Sequence, residues 1–196
     1  MEATYYKLCE TSSDINQHLP VLRLLASLSS SVVECGVRSV VSSYAFAVGL
    51  GGRGPLTMVD IEKSTNVEKF LQQNPNARFI LGSDLECPLV ETDLLFIDTW
   101  HVYGHLRREL ARWHSSVRKF IALHDTTVDG EYGETIRNKW NPYEQSRQTG
   151  IPVEEITRGL RPAVQEFLAE HPEWTLLAEY TNNNGLTILA RSPAQE

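Results

Sequence analysis

One repeated unit constrains this chain more than any other feature. A short apolar run ends in or near an acidic residue, and a helical stretch follows it. The runs are Ser31–Cys35 with Glu34, Leu56–Asp60, Arg78–Leu81 before Asp84, Leu94–Asp98, and Phe120–His124 before Asp125. Strands that alternate with helices at this spacing imply right-handed βαβ units, hence a parallel sheet covered on both faces. The end of the chain breaks the rhythm. Trp174–Thr181 and Leu186–Arg191 are apolar runs joined by Asn182-Asn183-Asn184-Gly185, a hairpin signal. The expected fold is therefore α/β, with five parallel strands, a C-terminal antiparallel hairpin and helices on both faces.

Helices are expected from Asp14 to about Leu28, over Ser39–Leu50, Asn66–Gln73 and about Val102–Trp113, and over Glu154–His171. Pro20 marks a kink or the true start of the first of these. Gly49 to Pro55 reads as a surface loop whose glycines are too irregular for a nucleotide fingerprint. Residues 1–29 form a helical extension outside the βα units. Residues 126–152 are polar, with glycine and tyrosine, and have the length of a substrate loop. Within them Glu131, Tyr132, Glu134, Arg137, Trp140 and Tyr143 mix aromatic and polar groups. Such a mixture suits a sugar, whose apolar faces stack on rings while its hydroxyls need hydrogen bonds.

At 196 residues, with 41% hydrophobic and 22% charged residues, the chain can bury a core and fits one domain spanning 1–196. Eighteen basic against 25 acidic residues give a net charge of −7, which disfavours a phosphate-backbone partner. Cys9, Cys35 and Cys87 lack the spacing of a disulfide framework or a zinc knuckle. No apolar run approaches the ~20 residues of a membrane span, and the N-terminus lacks the basic start of a signal peptide. A soluble, cytoplasmic protein with no membrane and no nucleic-acid partner is expected, as a homodimer or as part of a fusion.

In an open parallel sheet the ligand crevice lies beyond the carboxyl ends of the strands. Here those ends carry Glu34, Asp60, Asp84, Asp98 and Asp125. Five acids on one edge repel one another unless some meet positive charge, hydroxyls or amines, so a cationic or donor-rich ligand or a metal ion is expected. The turn Glu34-Cys35-Gly36 has a single glycine and an acid where a pyrophosphate would sit, which disfavours a dinucleotide. S-adenosylmethionine, with no phosphate and a positive ammonium and sulfonium, fits better. Asp60, 24 residues after Gly36, suits ribose hydroxyls. Asp84 suits an adenine amino group or is a plain turn residue, and Ser42 a cofactor carboxylate. Asp98 and Asp125 end neighbouring strands at ~4.8 Å spacing and must share a proton or bind a cation such as Mg²⁺ or Mn²⁺. His101 can aim at the same spot and suits a general base. His105 is either a supporting residue or solvated, and His114 a surface residue near a helix end. Period-two alternation points the side chains of His124 and Asp125 apart unless the strand has already ended.

Glu34-x-Gly36, Asp60, the run LLFIDTWHVYGHLRREL, FIALHDT and the closing NNNGLTIL together resemble a family. They are similar to the class I S-adenosylmethionine-dependent methyltransferases, and more narrowly to the group of cephalosporin hydroxylase, rhamnosyl and macrocin-type sugar O-methyltransferases. The likeness spans residues 30–191 and implies a Rossmann-like seven-stranded sheet. It also implies that Asp98, Asp125 and His124 hold a divalent metal (Mg²⁺ or Mn²⁺), that His101 is the base, and that the acceptor is a sugar or glycan hydroxyl such as that of a deoxysugar. Two residues depart from the pattern. Val40 or Val41 replaces the second glycine of the cofactor turn, and His124 replaces a carboxylate, which favours Mn²⁺ or no metal over Mg²⁺. Different chemistry on the same scaffold, hydroxylase-like, and a non-catalytic cofactor-binding partner subunit are the alternatives.

Overall fold

A computed structural model describes residues 1–192. Five parallel strands form most of the sheet: β1 (Val32–Cys35), β2 (Leu56–Asp60), β3 (Ala77–Leu81), β4 (Thr92–Ile97) and β5 (Val117–His124). The hairpin strands β6 (Trp174–Tyr180) and β7 (Leu186–Arg191) complete it in the order β3-β2-β1-β4-β5-β7-β6. Only β7 runs against the rest. The strand order reverses between β1 and β4, which pair in parallel at the centre. A crevice opens there by construction, because connections leave to opposite sides.

The helices are α1 (Glu2–Glu10), α2 (Leu19–Ser27), α3 (Val41–Leu50), α4 (Thr65–Gln73), α5 (Tyr103–Trp113), α6 (Glu134–Arg137), α7 (Pro142–Thr149), α8 (Val153–Ile156) and α9 (Leu160–Glu170). Strand alternation divides the core into two layers. Val32, Leu56, Met58, Leu94 and Phe96 meet α1 to α4 on one face. Val33, Cys35, Val59, Leu95 and Ile97 meet α5 and α9 on the other. Each central strand is buried on both sides, as its unbroken apolar run requires.

Three helical expectations need correction. Helix α2 begins at Leu19 rather than at Asp14; of the two readings of Pro20 the true start holds, in a first turn where a missing N–H costs nothing. Residues 126–152 are not one loop. Asn141 accepts N–H bonds from Tyr143 and Glu144, Pro142 follows it, and Gly150 closes α7 in the left-handed region. The expected helix 154–171 is two, broken at Gly159. A Cβ there would meet the Asp129 carbonyl oxygen at 2.4 Å, so close backbone packing dictates the break.

Candidate functional site

The carboxyl ends of β1 to β4 open into a cleft of about 630 Å³. Gly36, Asp60, Asp84 and Asp98 line its floor, and Trp100 and His105 its side. Trp140, Gln145, Gln148 and Thr149 reach it from the segment expected to bind substrate. Gly36 has φ +84° and a Cβ there would lie 2.0 Å from the Asp98 carbonyl oxygen, so no other residue lets β1 turn away beside β4. Val40 caps α3 with φ 60°, holding the left-handed conformation that a glycine adopts without strain.

The acidic edge is already compensated from within. Glu34 shares a face of β1 with Val32 and therefore lies under α3, fully buried, where Ser42 and Ser43 donate to its carboxylate. Burial pushes its pKa up to about 8 against the pull of those hydroxyls. Neither Glu34 nor Ser42 lines the cleft. Their expected contacts with a cofactor are replaced by a contact with each other. Asp60 accepts the backbone N–H groups of Val37 (2.8 Å), Arg38 (3.0 Å) and Glu62 (3.1 Å), so it braces the β1–α3 turn and faces the cleft as well. The inference that the edge demands a cationic ligand therefore does not follow from repulsion alone.

Asp84 lies 3.4 Å from His105 Nε2, and Glu109 Oε1 lies 3.7 Å from that nitrogen. Burial raises Asp84, but hydrogen bonds from His105 and Glu109 prevail and hold it below its ordinary value. Burial and the Asp84 charge push Glu109 well up, so this pair of carboxyls shares a proton. His105 is thus neither solvated nor idle.

The densest charge lies between β4 and β5. His101 Nε2 is 3.1 Å from Asp98 Oδ1, and its Nδ1 is 3.1 Å from Asp125 Oδ2. Asp129 and Glu134 stand at 3.5 and 3.7 Å from that Nδ1. His124 Nδ1 approaches the same oxygens of Asp98 (3.4 Å) and Asp125 (3.5 Å). Strand β5 ends at His124, and Asp125 has φ 57°, so the two neighbouring side chains converge rather than diverge. Burial disfavours charge on both histidines, yet the surrounding carboxylates overcome it and push each up to about 10. Burial would raise Asp98, but His101 and His124 hold it well below the carboxylate range. The Asp129 carboxylate, fully buried, also receives a bidentate pair from Arg137 at 2.7 and 2.8 Å. Arg137 is therefore a structural partner rather than a substrate group.

This cluster has the donor chemistry of a divalent-metal site. Asp98, His101 and Asp125 each offer a ligand atom within 4.8 Å of the others. Asp125 Oδ1 and both His124 nitrogens are buried without a hydrogen-bond partner; a cation would satisfy the carboxylate oxygen directly and an imidazole nitrogen once His124 has given up a proton. Two carboxylates with imidazole suit Mn²⁺ or a later transition metal better than Mg²⁺.

Sequence reasoning missed Glu109, Asp129 and Trp100, and assigned Glu134 to the substrate segment rather than to the surroundings of His101. Glu109 had one local signal, its place four residues after His105 on the same helix face. Asp129 and Glu134 meet His101 only through the fold.

No family model matches this sequence, and no curated protein matches it. Solved structures do. An O-methyltransferase from Bacillus cereus in complex with SAH aligns with a TM-score of 0.64 at 16% identity, over 90% of this chain and 81% of that one. The O-methyltransferase TomG from Streptomyces achromogenes, involved in tomaymycin synthesis and bound to SAM, gives 0.63 at 16%, over 93% and 82%. A Burkholderia thailandensis 1,6-didemethyltoxoflavin-N1-methyltransferase gives 0.61 at 13%, over 92% and 79%. The chain has the Rossmann-like methyltransferase fold. Among the described residues no helix is long and apolar enough to cross a membrane.

Proposed function

We propose that this chain is an S-adenosylmethionine-dependent O-methyltransferase acting on a hydroxyl of a small, sugar-like acceptor. One observation carries the reading. The switch-point cleft runs from Asp60, at the end of β2, to Asp98, at the end of β4, and the His101 cluster adjoins it at Asp98. This is the geometry needed to hold a nucleoside at one end and to manage a proton at the other. Its fold neighbours include structures with SAM or SAH bound.

In this reading Asp60 accepts the ribose hydroxyls with lone pairs its backbone partners leave free. Asp84, held ionised by His105, accepts the adenine amino group. Ile61, exposed on the cleft rim, and Trp100 supply apolar surface for the base. Asp98 and Asp125, with His124, would hold a divalent cation, which lowers the pKa of an acceptor hydroxyl beside it. Against burial, the carboxylates of Asp129, Asp98 and Asp125 push the pKa of His101 up to about 10, so at neutral pH it must lose a proton before it can act as a base. Loss of that proton to solvent would be favoured by a cation held beside Asp98 and Asp125, and neutral His101 would then take the acceptor's proton. The alkoxide oxygen then bonds to the methyl carbon as the carbon–sulfur bond breaks, and the electron pair stays on sulfur. Trp140 and the amides of Gln145 and Gln148 present stacking and hydrogen-bonding groups to a sugar.

Calorimetry with S-adenosylmethionine and its demethylated product tests cofactor binding, and transfer of a labelled methyl group to a panel of glycosides tests the acceptor. Binding without transfer to any acceptor would favour a non-catalytic partner subunit. Absence of binding, with tight binding of a pyrophosphate nucleotide, would overturn the reading altogether.

A further inference from the structure

The opposite end of the sheet, where β5 and β6 begin, carries a second set of titratable side chains that methyl transfer does not use. His114 opens a 3-10 turn directly after α5. His171 caps the C-terminus of α9, and Glu173 follows it just before β6. His171 Nδ1 lies 3.3 Å from Glu173 Oε1, and His114 Nδ1 lies 3.8 Å from the same oxygen. The two imidazole rings are 4.1 Å apart between centroids and tilted by 48°. One ligand atom from each residue falls within 4.8 Å of the others.

These distances have a chemical meaning. Tetrahedral zinc with bonds of about 2.0–2.1 Å sets its ligand atoms about 3.3–3.4 Å apart. The two histidine–carboxylate spacings, 3.3 and 3.8 Å, lie within about half an ångström of that value, and the two histidines offer ligand atoms within 4.8 Å of each other. His114 Nδ1 is buried and has no hydrogen-bond partner, so a lone pair or a proton faces the other two ligands unused. The frame is rigid. Backbone N–H groups of His171, Trp174 and Ser192 donate to the carbonyls of Phe167 (2.9 Å), His171 (2.9 Å) and Glu173 (2.7 Å). Phe167 packs against both imidazoles and limits their rotation.

Burial, the neighbouring His171 and Arg191 hold His114 below its ordinary pKa, and backbone hydrogen bonding with the two histidines holds Glu173 low. Among the described residues, Arg191 places an opposing charge near His114. Its guanidinium donates to the Val117 carbonyl at 2.7 Å and lies over the Trp174 ring. It makes no ion pair with Glu173.

We propose that His114, His171 and Glu173 bind a zinc-class divalent cation, with water in the fourth position, and that the ion staples the ends of α5 and α9 to the start of β6. Two imidazoles and one carboxylate prefer Zn²⁺, Ni²⁺ or Cu²⁺ over Mg²⁺. All three side chains retain some exposure, which leaves an entry path and an open coordination position. The site is separate from the cleft and does not depend on the proposed methyl transfer.

The test uses chelator-stripped protein without a histidine tag, titrated with ZnCl₂ by calorimetry while thermal melting is followed. The background substitutions Asp84→Asn, Asp98→Asn and Asp125→Asn take carboxylates from both groups of possible metal ligands at the cleft. In that background one equivalent of zinc should bind and raise the melting temperature, and MgCl₂ should do neither. Adding His171→Gln should weaken zinc binding at least tenfold and abolish the rise in melting temperature. Glu173→Gln, at a partly exposed position, provides the same test should His171→Gln not fold. Cobalt substitution should give the visible band of a four-coordinate site in the background protein and lose it in both variants. Equal zinc affinity and stoichiometry in the background protein and either folded variant would overturn the proposal.

Discussion

Replacing Glu34 by glutamine should make this protein more stable at neutral pH, although it removes a buried charge-bearing group held by two hydroxyls. The carboxyl is fully buried, and burial lifts its pKa from the ordinary 4.5 to about 8. Below about pH 4.5 both the folded and the unfolded chain hold the proton, and Glu34 costs nothing. As pH rises, the unfolded chain releases its proton while the folded chain keeps it, so stability falls until about pH 8. Each pKa unit is worth about 1.4 kcal/mol, so the fall amounts to roughly 5 kcal/mol in all and roughly 3 kcal/mol at pH 7. Glutamine mimics the protonated form at every pH. Its amide loses one acceptor, and either Ser42 or Ser43 must redirect its hydroxyl, for about 1 kcal/mol. The variant should therefore match or slightly trail the parent at pH 4 and exceed it by about 2 kcal/mol at pH 7. Urea unfolding at pH 4, 5.5, 7 and 8.5 measures this directly, and Glu34→Ala, which orphans both hydroxyls, should be less stable throughout. Parallel stability curves for parent and Glu34→Gln would refute the argument, because they would mean that Glu34 is ionised under α3.

Four further outcomes follow from the same structure. Gly36→Ala forces a Cβ to 2.0 Å from the Asp98 carbonyl oxygen and should cost at least about 3 kcal/mol, seen as a large fall in melting temperature. Arg137→Ala leaves the buried Asp129 carboxylate with only His101 as a charged partner. It should cost about 2 kcal/mol, less than a fully buried pair because Arg137 is partly exposed. Asp93 is held well below the carboxylate range, burial being outweighed by Ser30, Arg118 and Lys119. Its contribution is complete above the unfolded value near ~4 and lost as pH falls, so Asp93→Asn should flatten the acid side of the stability curve. His101→Ala should leave binding of the demethylated cofactor within about threefold while lowering methyl transfer by about 10²-fold or more, measured by calorimetry and labelled transfer.

The sheet was legible because its signals are local. Strand β2 has the expected ends, Leu56 and Asp60, and the Asn182–Gly185 turn joins β6 to β7 as expected. Helix α7 was legible in principle, since Asn141-Pro142 and Gly150 are capping signals, but the polar composition of the segment concealed them. Helix α1 has no side-chain cap, and its one buried residue, Tyr5, is buried by tertiary packing. The break at Gly159 was not readable from residues 154–171, because its cause is the Asp129–Gly130 backbone packed against it. For the site, position at strand ends correctly gathered Asp60, Asp84 and Asp98 around one cleft. Position gave no warning about Glu34. The period-two rule did, since Glu34 must share its face with Val32 and that face is covered.

The acidic edge shows why residue type at a strand end is weaker evidence than it looks. Repulsion among five carboxyls can be relieved by an external cation, by loss of charge, or by donors built into the fold, and this chain uses the second and third at each position. Glu34 is held towards its neutral form, Asp84 shares a proton with Glu109, Asp60 takes three backbone N–H groups, and Asp98 and Asp125 clasp His101. Only the last arrangement stays poised. Its two histidines carry the compensating charge, so a cation entering beside Asp98 and Asp125 must displace protons from them. Manganese binding there should release close to one proton or more per ion at pH 7, measured by calorimetry in buffers of different ionisation enthalpy. Binding without proton release would mean that the histidines are already neutral and that the carboxylates alone hold the site together.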